Sequence, residues 1–177
     1  MRFEATMFNI KDVVVYGTDG ICTITDITEK KFGNETEEYY ILSPLSKESN
    51  IVYVPVHNEK ILLRMRKVLT AEEAENFLHS LPEGGLEWVM NERERQRGYK
   101  DILLYGKPEE LYTMIRSLYD RQDEQTCCGK KLHASDERYL RDAERMLFEE
   151  IAYALSIKPS EVLPLIVRIE REKKNDL

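Results

Sequence analysis

The sequence predicts an α+β protein, with a small antiparallel β barrel over residues 1–68 and an all-α bundle of about five helices over residues 69–177. Three observations carry that expectation. Short β-branched or alternating runs, each closed by a turn, fill the chain from about residue 8 to residue 68. Beyond Thr70 the apolar spacing switches from every second residue to every third and fourth. At the switch itself, Thr70-Ala71-Glu72-Glu73 is a capping-box sequence, which marks a helix start.

The elements follow in order. Val13–Tyr16 is a β-branched strand, closed by a turn with glycines at Gly17 and Gly20. Ile21–Ile27 alternates, placing Ile21, Thr23, Thr25 and Ile27 on one face and Cys22, Ile24 and Asp26 on the other. Gly33-Asn34 marks a turn, Glu38–Leu42 a third strand, Ile51–Val56 a fourth with Pro55 near its end, and Ile61–Arg66 a last short one. A helix runs from Thr70 to about Leu81, where Pro82-Glu83-Gly84-Gly85 stops it and makes a flexible joint. A second covers Glu87–Tyr105 and ends at Gly106. Pro108 opens a third with the stripe Leu111, Met114, Ile115 and Leu118. Asp123–Ala134 reads as a loop. Ser135 caps a fourth helix striped by Tyr139, Leu140, Ala143, Leu147, Ile151 and Ala154, and Pro159 opens a fifth.

Composition narrows the function classes. With 42% hydrophobic and 33% charged residues the chain can bury cores and is not disordered. It has no apolar run near twenty residues and no apolar stretch in Met1–Met7, so the expectation is a cytoplasmic protein with no membrane partner. No phosphate-cradling glycine loop, nucleophile elbow or helical histidine pair is present, so neither catalysis nor a cofactor is expected. Cys127, Cys128 and His133 lack the further pair that would complete a metal site. The net charge of −7 argues against a general nucleic-acid coat. Within the acidic second half, however, Trp88–Lys107 holds five basic residues against three acidic ones.

That local excess is ordered. Arg93, Arg97 and Lys100 stand at i, i+4 and i+7 and so share one helix face, from which Arg95 points away. Just ahead stands Trp88, the chain's single tryptophan. An aromatic wedge beside spaced cations suits a protein that holds phosphates while pressing on a base step. The competing reading makes Trp88 a core anchor and pairs the stripe with Glu92 and Glu94. The chain is then a protein-only adaptor.

The order of features resembles the CarD/CdnL transcription regulators. Phe8–Tyr16 with Gly20, Glu38–Leu42 and Val54–Asn58 are similar to the N-terminal module of that family, a module related to one in transcription-repair coupling factors. Trp88, the arginine-rich helix reaching Tyr99-Lys100, Gly106-Lys107-Pro108, Arg116–Tyr119 and Lys131–Arg138 continue the likeness, which covers residues 7–166. The resemblance implies a Tudor-like β domain that grips the RNA polymerase β subunit. It also implies a helical domain that leans on promoter DNA at the upstream edge of the melted region, where a tryptophan enters the minor groove and stabilises the open complex. The matching residues are Trp88 for the wedge and Arg93, Arg95, Arg97 and Lys100 for the backbone contacts. Two positions depart from the family pattern, Gly17 where a proline is common and Tyr53 where some relatives carry a polymerase-contacting arginine. Lys30 and Tyr53 are the candidates for the polymerase face.

Overall fold

The computed structural model describes residues 8–32, 35–46 and 50–175, which divide into two compact units at Val68/Leu69. The first is one antiparallel sheet of order β4-β3-β2-β1-β5, built from β1 (Val13–Tyr16), β2 (Gly20–Phe32), β3 (Glu35–Pro44), β4 (Val52–Pro55) and β5 (Met65–Lys67). A single 3-10 turn, Gly17–Asp19, joins β1 to β2, and Gly17 and Gly20 supply its positive φ angles of 43° and 75°. The expected turn at Gly33-Asn34 lies outside the described residues.

β2 is longer than its alternating stretch suggested, and it carries a bulge. Ile24 pairs with Leu42 but Asp26 pairs with Ile41, so Thr25 is the extra residue. The bulge resets the parity of the strand. Cys22 and Ile24 face the core before it, and Ile27 packs against the same core after it, whereas strict alternation had placed Ile27 on the opposite face. Phe8, Val14, Tyr16, Tyr40, Leu42, Val54 and Met65 complete this core.

The expected strand over Ile61–Arg66 is corrected by the structure. The Asn58 side chain accepts the Ile61 N–H at 3.2 Å and caps a short helix, α1 (Glu59–Leu62), leaving only Met65–Lys67 as strand. Adjacent Ile61 and Leu62 both pack on the sheet core, and a helical turn allows this where strand alternation would expose one of them.

The second unit holds α2 (Ala71–His79), α3 (Glu92–Tyr105), α4 (Pro108–Cys127), α5 (Ala134–Leu155) and α6 (Pro159–Asn175). The capping box forms as the sequence specified, with Thr70 Oγ1 accepting from Glu73 N–H and Glu73 accepting from Thr70 N–H. The stripe on α4 and the α5 stripe through Ile151 are buried in one core with Phe77, Leu78, Leu103, Val162 and Ile166, while Ala154 is only half-buried. Two boundaries move. α4 continues to Cys127, taking in the first part of the segment expected to be loop and leaving Cys128–His133 non-helical, and α5 starts at Ala134 after His133, with Ser135 inside its first turn. Among the described residues no helix is long and apolar enough to cross a membrane.

Burial pushes the Cys22 thiol up from its ordinary 9.0 to about 12, with the Asp19 charge adding to the shift. Its contribution to stability is complete below pH 9 and is lost as pH rises towards 12, because the unfolded chain sheds that proton first. Urea titrations across this window should therefore show falling stability, with a shallower fall in Cys22→Ala. An equal slope in the two proteins would place Cys22 in contact with water.

Candidate nucleic-acid interface

Trp88 does not lie on a helix. Asn91 caps α3 by accepting the N–H groups of Arg93 and Glu94 at 3.0 and 3.2 Å, so the chain from Leu86 to Asn91 is non-helical and the expected start at Glu87 moves to Glu92. The preceding glycines are not a free joint. Leu86 N–H donates to the Thr113 carbonyl of α4 at 3.2 Å, and a Cβ on Gly85 would sit 2.5 Å from Ser117 N. The segment is seated on α4.

Arg95 holds the other side. Its Nε and Nη2 donate to the two carboxylate oxygens of Asp136 at 3.2 and 2.9 Å, and Nη1 donates to the Val89 carbonyl at 2.9 Å. The pair is buried, at 8% and 1% exposure. The same guanidinium lies 4.4 Å from the centre of the Trp88 ring, and that of Arg121, on α4, lies 4.9 Å from it. Trp88 is therefore half-buried, packed on the helical core and clamped by two cations. It lines a shallow cavity of about 340 Å³ with Arg121, Gln125, Lys131 and His133. Beside it Leu86 and Val89 are exposed, and Met90 is 81% exposed.

Arg93, Arg97 and Lys100 are all exposed and make no ion pair among the described residues. Their expected partner Glu92 is engaged elsewhere, accepting from Gln96 at 2.7 Å and facing His133 at 3.7 Å. At 100° per residue Arg95 lies on the far side of α3 from this stripe. The structure thus brings Trp88 to Arg95 and not to the three exposed cations. Burial also pushes the Tyr99 phenol up to about 12, with the Asp136 charge adding to the shift, so this tyrosine stays neutral on the buried face of α3.

On the sheet, Lys30 of β2 and Tyr53 of β4 meet across β3, with Lys30 Nζ 3.8 Å above the Tyr53 ring. Tyr39 packs edge-on against Tyr53, and its hydroxyl donates to Glu37 at 2.8 Å. Two residues named separately from the sequence thus form one aromatic-cationic patch at the edge strand. Sequence reasoning missed Asp136 and Arg121. The available signal for Asp136 was Arg95 itself, a charge on the buried side of an amphipathic helix, which requires a partner.

Residues 8–69 match the CarD-like/TRCF RID domain, and residues 76–167 match the CarD C-terminal domain. The chain is 26% identical over 157 residues, 88% of its length and 97% of the relative's, to the Bacillus subtilis (strain 168) protein named "Putative transcription factor YdeB". A sheet domain followed by a five-helix domain, with these matches to both halves, defines a two-domain transcription regulator. The chain belongs to the CarD-like family.

Proposed function

We propose that the protein binds the RNA polymerase β subunit through its sheet domain and stabilises the open promoter complex through its helical domain. Trp88 and the apolar residues beside it press on the minor groove at the upstream edge of the bubble. Arg93, Arg97 and Lys100 take backbone phosphates without reading sequence. Arg95 is a positioning residue in this reading, since its donors are already committed to Asp136 and Val89. Lys30 and Tyr53 belong to the polymerase face. No catalysis is involved. The observation that carries the reading is the row of three exposed cations with no ion pair among the described residues, on the helix that follows a clamped tryptophan. A net charge of −7 fits a protein that reaches DNA from a polymerase foothold and not by long-range attraction.

The packing of Trp88 on the helical core favours the second reading, a protein-only adaptor. Open-complex decay measured with polymerase holoenzyme separates the two. Trp88→Ala should shorten the lifetime about fivefold for each kcal/mol of wedge energy lost, while binding to the β subunit is retained. As a pure anchor, Trp88 would instead cost roughly 3–5 kcal/mol of folding stability on truncation, which thermal unfolding of the same sample reads directly. Arg93→Ala with Arg97→Ala should weaken association similarly at different promoters. It should also lower the slope of log affinity against log salt by roughly one for each contact. A double variant with the salt slope of the parent would sink the phosphate assignment.

A further inference from the structure

α4 ends on two adjacent thiols that neither the polymerase reading nor the DNA reading uses. Cys127 is its last residue and Cys128 the next, and both are free and exposed, whereas Cys22 is buried. Backbone bonds close the turn. Cys128 and Lys130 N–H both donate to the Gln125 carbonyl, at 3.0 and 2.8 Å, and Gly129 N–H donates to Thr126 at 3.0 Å. Gly129 has φ +69° and open space around it. Gln125 and Lys131, on either side of the thiols, line the cavity that Trp88 also lines.

We propose that Cys127 and Cys128 are a vicinal dithiol that closes into an intramolecular disulfide by exchange with small disulfides such as glutathione disulfide, and that closure unwinds the end of α4 beneath Trp88. One thiolate attacks a sulfur of glutathione disulfide and expels a glutathione thiolate. The neighbouring thiolate then attacks the protein sulfur of the mixed disulfide and expels the second glutathione. Two protein thiols are oxidised, one small disulfide is reduced to two thiols, and the two protein protons pass to the departing thiolates.

Geometry sets the consequence. Cys128, just past the helix at φ −93° and ψ 8°, still follows close to the helical course, so its side chain diverges from that of Cys127 by about 100° and the two sulfurs cannot meet until this backbone changes. Consecutive Cα atoms stand about 3.8 Å apart, well inside the roughly 5.5–6 Å of ordinary bridges, so the ring is strained and readily reduced. Such a bond is a reversible switch and not a structural staple. Closure gives up the turn's bonds to Gln125 and Thr126, Gly129 supplies the freedom to re-route the chain, and Gln125 moves in the wall of the Trp88 cavity.

The test uses the whole chain in a glutathione redox buffer, followed by mass spectrometry and by emission of its single tryptophan. The expected product has lost two hydrogens, retains no glutathione, reverts with dithiothreitol and shows a shifted Trp88 emission. Cys128→Ser should instead trap one glutathione on Cys127 and leave the emission where it was. Phenylarsine oxide, which condenses with two neighbouring thiols and releases water without any oxidant, should be retained by the parent and not by Cys128→Ser. Stable glutathione on both cysteines, or disulfide-linked pairs of chains, would overturn ring closure. Closure with unchanged Trp88 emission would overturn the coupling.

Discussion

Arg95→Ala should destabilise the helical unit by about 3–5 kcal/mol, the cost of stranding one member of a buried ion pair. The residue left behind is Asp136, 1% exposed on the first turn of α5, with both carboxylate oxygens satisfied by Arg95 alone among the described residues. The loss also frees the Val89 carbonyl and uncovers one side of Trp88. Asp136→Ala should cost a similar amount, since it strands the guanidinium instead. Arg95→Met combined with Asp136→Leu should recover much of the loss, because removing both charges leaves nothing buried and unpaired. Urea unfolding followed by helical circular dichroism and by Trp88 emission measures both parts. A single-variant loss below about 1 kcal/mol would mean that water reaches the carboxylate and that the clamp is superficial.

Gly85→Ala should cost about 1–3 kcal/mol and shift the Trp88 emission, because the added methyl would lie 2.5 Å from Ser117 N and 2.6 Å from Ser117 Cα. Both atoms belong to the backbone of α4, which is buried on its Met114 and Leu118 side and cannot yield. The segment carrying Trp88 must lift instead. Two other glycines serve as comparisons. Gly98, in the middle of α3 with open space around it, should gain roughly 0.5–1 kcal/mol on replacement by alanine. Gly84 has open space but φ +90°, so its alanine variant pays for backbone strain without a clash. A Gly85→Ala protein with parental stability and unchanged Trp88 emission would restore the free joint that the sequence suggested.

The division between what was legible and what was not follows the range of the interactions. Strand and helix identity came from local periodicity. Val13–Tyr16 forms the strand its β-branched run specified, and the α4 stripe and the α5 stripe through Ile151 bury the residues their spacing nominated, since a face must be apolar wherever an element packs. The capping box at Thr70 was legible because its partners are three residues apart. The start of α3 was misplaced because Glu87–Met90 has tolerable helix formers, and only the Asn91 side chain, satisfied at Arg93 and Glu94, decides against them.

By itself the sequence determined the α+β order, the two cores, the family and the residues worth asking about, because these rest on periodicity and on the order of motifs along the chain. Tertiary structure alone decided which of those residues meet. Arg95 finds Asp136 at a separation of 41 residues, Lys30 finds Tyr53 across an intervening strand, and a bulge at Thr25 turns Ile27 back into the core. Nothing local encodes such pairings. A buried charge must have a partner, but which partner it takes depends on how whole elements pack, and that is settled only when the chain closes on itself.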